Sequence, residues 1–144
     1  MSQVRVPKSA EVILPFCRPW HDRQGSACFD SYADMVVFAA GLGFSKVGKN
    51  RPQGVSDFLD QPYPISIDVF KNQHLYPVLL LLSFAVIESS QIARDEKRIC
   101  GILEDYAEVG FLALKKLLSD TTAQEFHIEL GRLIVESSNK GLQI

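Results

Sequence analysis

The feature that most constrains this chain is one long run of helical periodicity in its second half. From about Arg94 to Ser119, apolar and small residues recur every three or four positions as a continuous stripe: Ile99, Ile102, Leu103, Tyr106, Val109, Gly110, Ala113, Leu114 and Leu117. We therefore predict a single long helix there. Glu104, Asp105 and Glu108 are expected to face outward as a solvated acidic surface.

Two earlier segments also have helical patterns. The first runs from Tyr32 to about Leu42, with Ser31 as its N-cap. Gly41 and Gly43 are expected to end it, because glycine is a poor helix former and a common helix stop. The second runs from about Asn72 to Ser89 and contains the most apolar stretch of the chain.

That apolar stretch, "LYPVLLLLSFAVI" (Leu75 to Ile87), is too short for a membrane span, because a bilayer requires roughly 20 apolar residues. Since apolar residues surround the predicted helix on all sides, we expect it to be the central, buried element of the fold. The N-terminus "MSQVRVPKSAEV" lacks the cationic start and apolar core of a signal peptide. We therefore expect a cytoplasmic protein with no membrane contact.

A last helix is predicted from about Thr122 to Ser138, with Thr121 or Thr122 as its cap. The fold class is therefore all-α: a compact bundle of four to five helices with an irregular N-terminal segment. The predicted organisation is an irregular segment packed on the domain (1–28), the helical domain (29–138) and a frayed tail (139–144). A short strand pair between the Val4 region and "PISIDVF" stays open as an addition.

A small cluster of cations is the candidate nucleic-acid-binding site. The net charge is −2, so any contact with nucleic acid requires a local basic patch. Lys46, Lys49 and Arg51 lie within six residues at the start of a long predicted loop, 45–66, and phosphate contacts are made by Lys and Arg. An ordinary solvated loop is the alternative. Further cations that would extend the patch, if the long helix starts near this loop, are Arg94, Lys97 and Arg98.

Other patterns do not indicate a catalytic or metal site. Cys17, His21 and Cys28 carry zinc-binding side chains, but they lack the close Cys pairs of structural zinc sites, and we interpret them as unrelated residues. Cys100 is expected to be a small core residue. "GLGFSKVGK" is not a phosphate-binding loop, because no Ser or Thr follows its last lysine. We therefore expect no enzymatic activity, no metal and no cofactor.

Two motifs carry a family resemblance. "YADMVVFAAGLGFSKVGKNRP" followed by "ILEDYAEVGFLALKKLL" resembles the DNA phosphorothioation (Dnd) system-associated protein 4 family, over about Phe29 to Leu133. The resemblance implies an accessory role in bacterial defence, beside proteins that place sulfur in the DNA backbone or restrict unmodified DNA. It implies no catalytic residues.

The resulting hypothesis is a non-enzymatic accessory subunit that docks on a larger Dnd-type defence protein through an apolar or acidic helix face. The cations Lys46, Lys49 and Arg51 would add an auxiliary contact to the DNA backbone. A stand-alone, small DNA-binding regulator is the alternative. The apolar second helix is equally compatible with the centre of a monomer and with the core of a homo-oligomer.

Overall fold

The computed structural model describes residues 2–20 and 28–142, and in these ranges the chain forms a helical bundle with a minimal sheet. The helices are α1 (Tyr32–Val47), α2 (Ile67–Asn72), α3 (Tyr76–Ile87), α4 (Glu96–Ser119) and α5 (Ala123–Leu142). Short 3₁₀ helices lie at Lys8–Ala10, Leu14–Phe16, Arg18–Trp20 and Ser90–Arg94. The predicted all-α fold is confirmed. None of the described helices combines the length and hydropathy needed to cross a bilayer.

The sheet joins the N-terminal segment to the middle of the chain. Strands β1 (Gln3–Val4) and β2 (Ile65–Ser66) pair antiparallel, with Val4 opposite Ile65. The strand pair that the sequence left open is therefore present. The N-terminal segment contributes six residues to the core that are at most 1% exposed: Val4, Val6, Ala10, Ile13, Leu14 and Cys17.

Helices α1 and α4 form the centre of the molecule, and glycines let their backbones touch. A Cβ atom on Gly43 would overlap the carbonyl oxygen of Tyr106, and one on Gly110 would overlap that of Ala39. Only a hydrogen fits at these two positions, so both glycines are required by packing. The prediction that Gly41 and Gly43 end the first helix was wrong, because both lie inside α1.

Helix α3 is not the central element, which corrects the prediction made from its apolar composition. Only Leu79 and Ser83 are buried, and the Ser83 hydroxyl is satisfied by donating to the Leu79 carbonyl at 2.8 Å. The longer α4, with its sustained stripe, takes the centre instead. Because α3 is apolar on every side, its composition could not indicate which side packs inward, and the helix lies at the edge of the core.

The start of α5 is a capping box built on Thr122, one of the two predicted caps. The Thr122 hydroxyl accepts from the Glu125 N–H at 3.1 Å, and the Glu125 carboxylate accepts from the Thr122 N–H at 3.2 Å. Phe126 and Leu130 then bury one side of the helix. The helix continues to Leu142, beyond the predicted end at Ser138.

Candidate functional site

The three candidate cations do not lie on one loop. Helix α1 continues to Val47, so Lys46 lies in its last turn rather than in the predicted loop. Gly48, at φ 65°, ends the helix by donating its N–H to the Phe44 carbonyl at 2.8 Å. A left-handed residue is a common helix end, and glycine adopts it without strain. Lys49 and Arg51 follow this stop and are therefore separated from Lys46 by a change in chain direction.

Lys49 is paired with the carboxylate of Glu88, the residue that follows α3. Its Nζ lies 2.6 Å from Glu88 Oε1, and both side chains are exposed. The hydrogen bond raises the pKa of Lys49 and lowers the pKa of Glu88. Glu88 itself caps the end of α3 in the left-handed region, at φ 58°. The pair joins the start of the loop to the end of α3 and neutralises the charge of Lys49.

Arg51 is paired with a buried carboxylate of α4. Its Nε donates to Asp105 Oδ2 at 2.8 Å, and the Asp105 side chain is only 10% exposed. The backbone N–H of Val55 also donates to Asp105. Burial raises the pKa of the Asp105 carboxyl, and the hydrogen bond and positive charge of Arg51 offset only part of that rise. Arg51 and Val55 thus hold the loop against α4.

A second arginine binds the neighbouring carboxylate of α4 from the N-terminal segment. Arg5 donates to Glu104 through its backbone N–H at 2.7 Å and through Nε and Nη2 at 3.1 and 3.0 Å. Its guanidinium also stacks 3.8 Å from the ring centroid of Phe58. The expectation that Glu104 and Asp105 form a solvated acidic face was wrong, because both are buried and ion-paired.

The positive charge of the candidate site is therefore smaller than the sequence indicates. Two of its three cations are neutralised within the chain, and among the described residues Lys46 is the exposed member with no ion pair. Arg51 lies close to the first turns of α4: a Cβ atom placed on Gly101 would be 3.4 Å from the Nη2 atom of Arg51. Lys97 and Arg98 precede Gly101 by one helical turn, so the predicted extension of the patch toward α4 is geometrically consistent.

The cysteines lie in packed surroundings. Cys17 is buried and its thiol donates to the Met35 sulfur at 3.3 Å, while burial raises its pKa to about 12. Burial likewise raises the pKa of Cys100 to about 11, and the prediction that it is a core residue is confirmed. His21 lies outside the described residues, so the grouping with Cys17 and Cys28 is not tested. Within the described ranges, no cluster of His, Cys, Asp and Glu is arranged to hold a metal ion.

The outer side of α3 is an exposed apolar surface. Leu81 is 67% exposed and Val78 44% exposed, on a helix that carries no charged residue. Exposed apolar residues that cluster on one element often mark a protein interaction site. The uncharged run that forms this surface is visible in the sequence, where it predicts a buried helix. Hydropathy alone does not distinguish a buried helix from one whose apolar side is exposed.

An open groove adjoins this surface. It has a volume of about 510 Å³ and runs between α1, the start of α3 and α5. Its apolar lining includes Val37 and Phe38 of α1, Leu75 and Val78 on the α3 side, and Ile134 of α5. Its charged lining residues are Asp30 and Asp34. Val78 belongs to both surfaces, so the groove and the exposed side of α3 are continuous.

Comparison with known proteins identifies the family. No curated protein and no solved structure matches the chain. The model of the family described as DNA sulphur modification system-associated protein 4 matches residues 3–142. This match includes the N-terminal segment, which the resemblance noted from the two motifs did not cover. The chain therefore belongs to the DNA sulphur modification system-associated protein 4 family.

Proposed function

We propose that this protein is a non-enzymatic accessory subunit of a DNA sulphur modification (Dnd) system, and that it acts as a docking module for another, larger protein of that system in the bacterial cytoplasm. Membership of a family associated with such a system supports the accessory role. Burial raises the pKa of Cys17, Cys28 and Cys100, which disfavours the reactive thiolate of each and so supports a role without a cysteine nucleophile.

The observation that carries the docking role is the exposure of α3. Leu81 and Val78 present apolar surface to solvent on a helix that has no charged residue. Elsewhere in the fold, carboxylates and cations form ion pairs such as Arg5–Glu104 and Arg51–Asp105. Burying such residues against a partner gains about 25 cal/mol per Å² of apolar surface. An accessory subunit held by this surface needs no polar contact at its centre, which is typical of the buried core of protein interfaces.

Co-purification tests the docking role. The chain is co-expressed with the other proteins of its Dnd system and captured by a tag. Leu81→Glu should reduce the amount of captured partner at least tenfold, because it places a charge in the centre of the interface. Its melting temperature should stay within a few degrees of the unmodified protein, since Leu81 is 67% exposed.

Leu112→Glu is the matched control, because Leu112 is a leucine of α4 that is 52% exposed and belongs neither to α3 nor to the lining of the groove. It should leave capture unchanged. Equal loss in both variants would indicate a general effect of the added charge. Undiminished capture by the Leu81 variant would remove α3 as the docking surface.

The second candidate is a small DNA-binding regulator that acts alone. The observation in its favour is the position of Arg51 beside the start of α4, where Lys97 and Arg98 are exposed and carry no ion pair among the described contacts. Against it stand the ion pairs that neutralise Lys49 and Arg51. If the protein causes no mobility shift of duplex DNA at low salt, the DNA-binding regulator is excluded.

A further inference from the structure

The groove beside α3 combines an apolar floor with acidic charge. Val37 and Phe38 lie one turn after Asp34 on α1, so the apolar lining and the carboxylate share one side of that helix. The other charged residue of the groove, Asp30, is paired with Arg18 at 3.1 Å. Among the described residues no cation pairs with Asp34, whose carboxylate accepts only from the Ser31 hydroxyl at 3.0 Å.

This pattern defines the chemistry of an occupant. Apolar side chains would fill the space between Val37 and Val78, and a cation would meet Asp34. A helix that presents apolar residues at three- and four-residue spacing, with Lys or Arg at one edge, meets both requirements. We propose that the groove binds a basic amphipathic helix of a partner protein; this inference rests on the proposed docking function and specifies its partner.

A second copy of this chain fits the same surface less well. Helix α3 is about 18 Å long, so two copies of it in contact would bury on the order of 200 Å² per protomer. A stable interface buries about 800 Å² per partner. The uncharged α3 of a second copy would also leave Asp34 without a cation. A helix lying in the groove instead contacts α1, α3 and α5 together.

Site-specific photo-crosslinking tests the proposal in the complex with the captured Dnd-system protein. Val78 is replaced by p-benzoylphenylalanine, and the crosslinked peptide is identified by mass spectrometry. The same substitution at Leu112 is the control for non-specific crosslinking. We expect crosslinks from position 78 only, into a partner segment with helical apolar spacing and at least one Lys or Arg within one turn.

Charge reversal provides an independent measurement. Asp34→Lys should weaken partner binding about tenfold or more, whereas Asp60→Lys, at an exposed aspartate that does not line the groove, should change it less than threefold. Replacing the crosslinked cation of the partner by Glu should restore binding to the Asp34→Lys variant. Thermal melting of both variants separates lost binding from lost folding.

The proposal is supported if position 78 gives the expected crosslinks and if replacing the partner's cation by Glu restores binding to the Asp34→Lys variant. Crosslinks to a second copy of this chain, or to a partner segment without cations, overturn the proposal but leave the docking function in place. An intact complex that gives no crosslink from position 78 overturns it in the same way. If no complex forms with any protein of the system, the proposed function fails, and the groove proposal fails with it.

Discussion

At the scale of single residues, the chain concentrates its buried charge on two adjacent positions of α4. Glu104 is 4% exposed and Asp105 is 7% exposed, and each is met by an arginine from a different part of the chain. Burial of a carboxylate is costly unless it is paired and hydrogen-bonded. Arg5 and Arg51 therefore fix the N-terminal segment and the long loop to the same turn of α4.

Replacing Asp105 by Asn should change how stability depends on pH. Because the folded pKa of Asp105 is raised, the folded state holds its proton more tightly than the unfolded state. Its contribution is therefore most favourable below the unfolded pKa of about 3.9 and is lost as pH rises through the folded pKa. Denaturant unfolding at pH 4 to 7 should show the unmodified protein losing stability relative to Asp105→Asn as pH rises.

Asp60→Asn, at an exposed aspartate of the loop that carries Arg51, is measured at each pH as the control for the Asp-to-Asn substitution itself. If the unmodified protein instead gained stability over Asp105→Asn as pH rises, the ion pair with Arg51 would outweigh the cost of burying the carboxylate.

At the scale of the elements, the contact between α1 and α4 depends on two glycines. Gly43 and Gly110 each lie against a carbonyl of the opposite helix, and no side chain can move aside to make room for a methyl group. Helix propensity alone would favour alanine at both positions by about 1 kcal/mol. The packing requirement opposes that preference.

The variant Gly110→Ala should therefore destabilise the protein by about 3 kcal/mol, because the added methyl overlaps the Ala39 backbone. Gly41→Ala is the matched control within α1: nothing lies within 4 Å of its Cβ position. That variant should be more stable by about 0.5 to 1 kcal/mol. Urea unfolding measures both, and a neutral Gly110→Ala would show that the two helices can separate without cost.

Sequence patterns predicted where the helices lie better than they predicted which residues contact them. The long stripe gave α4 to within two residues of its start, because a repeat sustained over many turns has few alternatives. The role of Gly43 could not be predicted, since it depends on contact with Tyr106, 63 positions later in the chain. The same holds for the candidate cations: local charge identified Lys49 and Arg51, but their carboxylate partners lie far along the chain.

At the scale of the whole molecule, internal ion pairs reduce the positive charge that the three candidate cations offer to nucleic acid. Lys49 and Arg51 are compensated within the fold, whereas Lys46 is exposed and unpaired among the described residues. Each phosphate contact contributes about 0.9 to the slope of log affinity against log salt. The three candidate cations should therefore contribute a salt slope closer to that of one phosphate contact than to that of three.

If the protein binds duplex DNA, Lys46→Ala should lower the salt slope by about 1, and Lys49→Ala should change it by much less. The physical reason is that Glu88 already neutralises Lys49. Mobility-shift titrations between 50 and 200 mM salt, a range over which such contacts respond strongly, measure the slope. Equal effects of both substitutions would mean that the Lys49–Glu88 pair opens on DNA.

The pairing of Arg5 with Glu104 has a consequence for synthesis of the chain. The two residues are 99 positions apart, so the ribosome adds Glu104 roughly 5 to 20 s after Arg5. Until then Arg5 has no carboxylate to bind, and Val4 and Ala10, which are buried in the finished fold and lie in elements that contact α4, remain without that helix. The nascent protein therefore presents this N-terminal segment without its α4 partner for seconds, a period in which chaperones or a co-translated partner can engage it first.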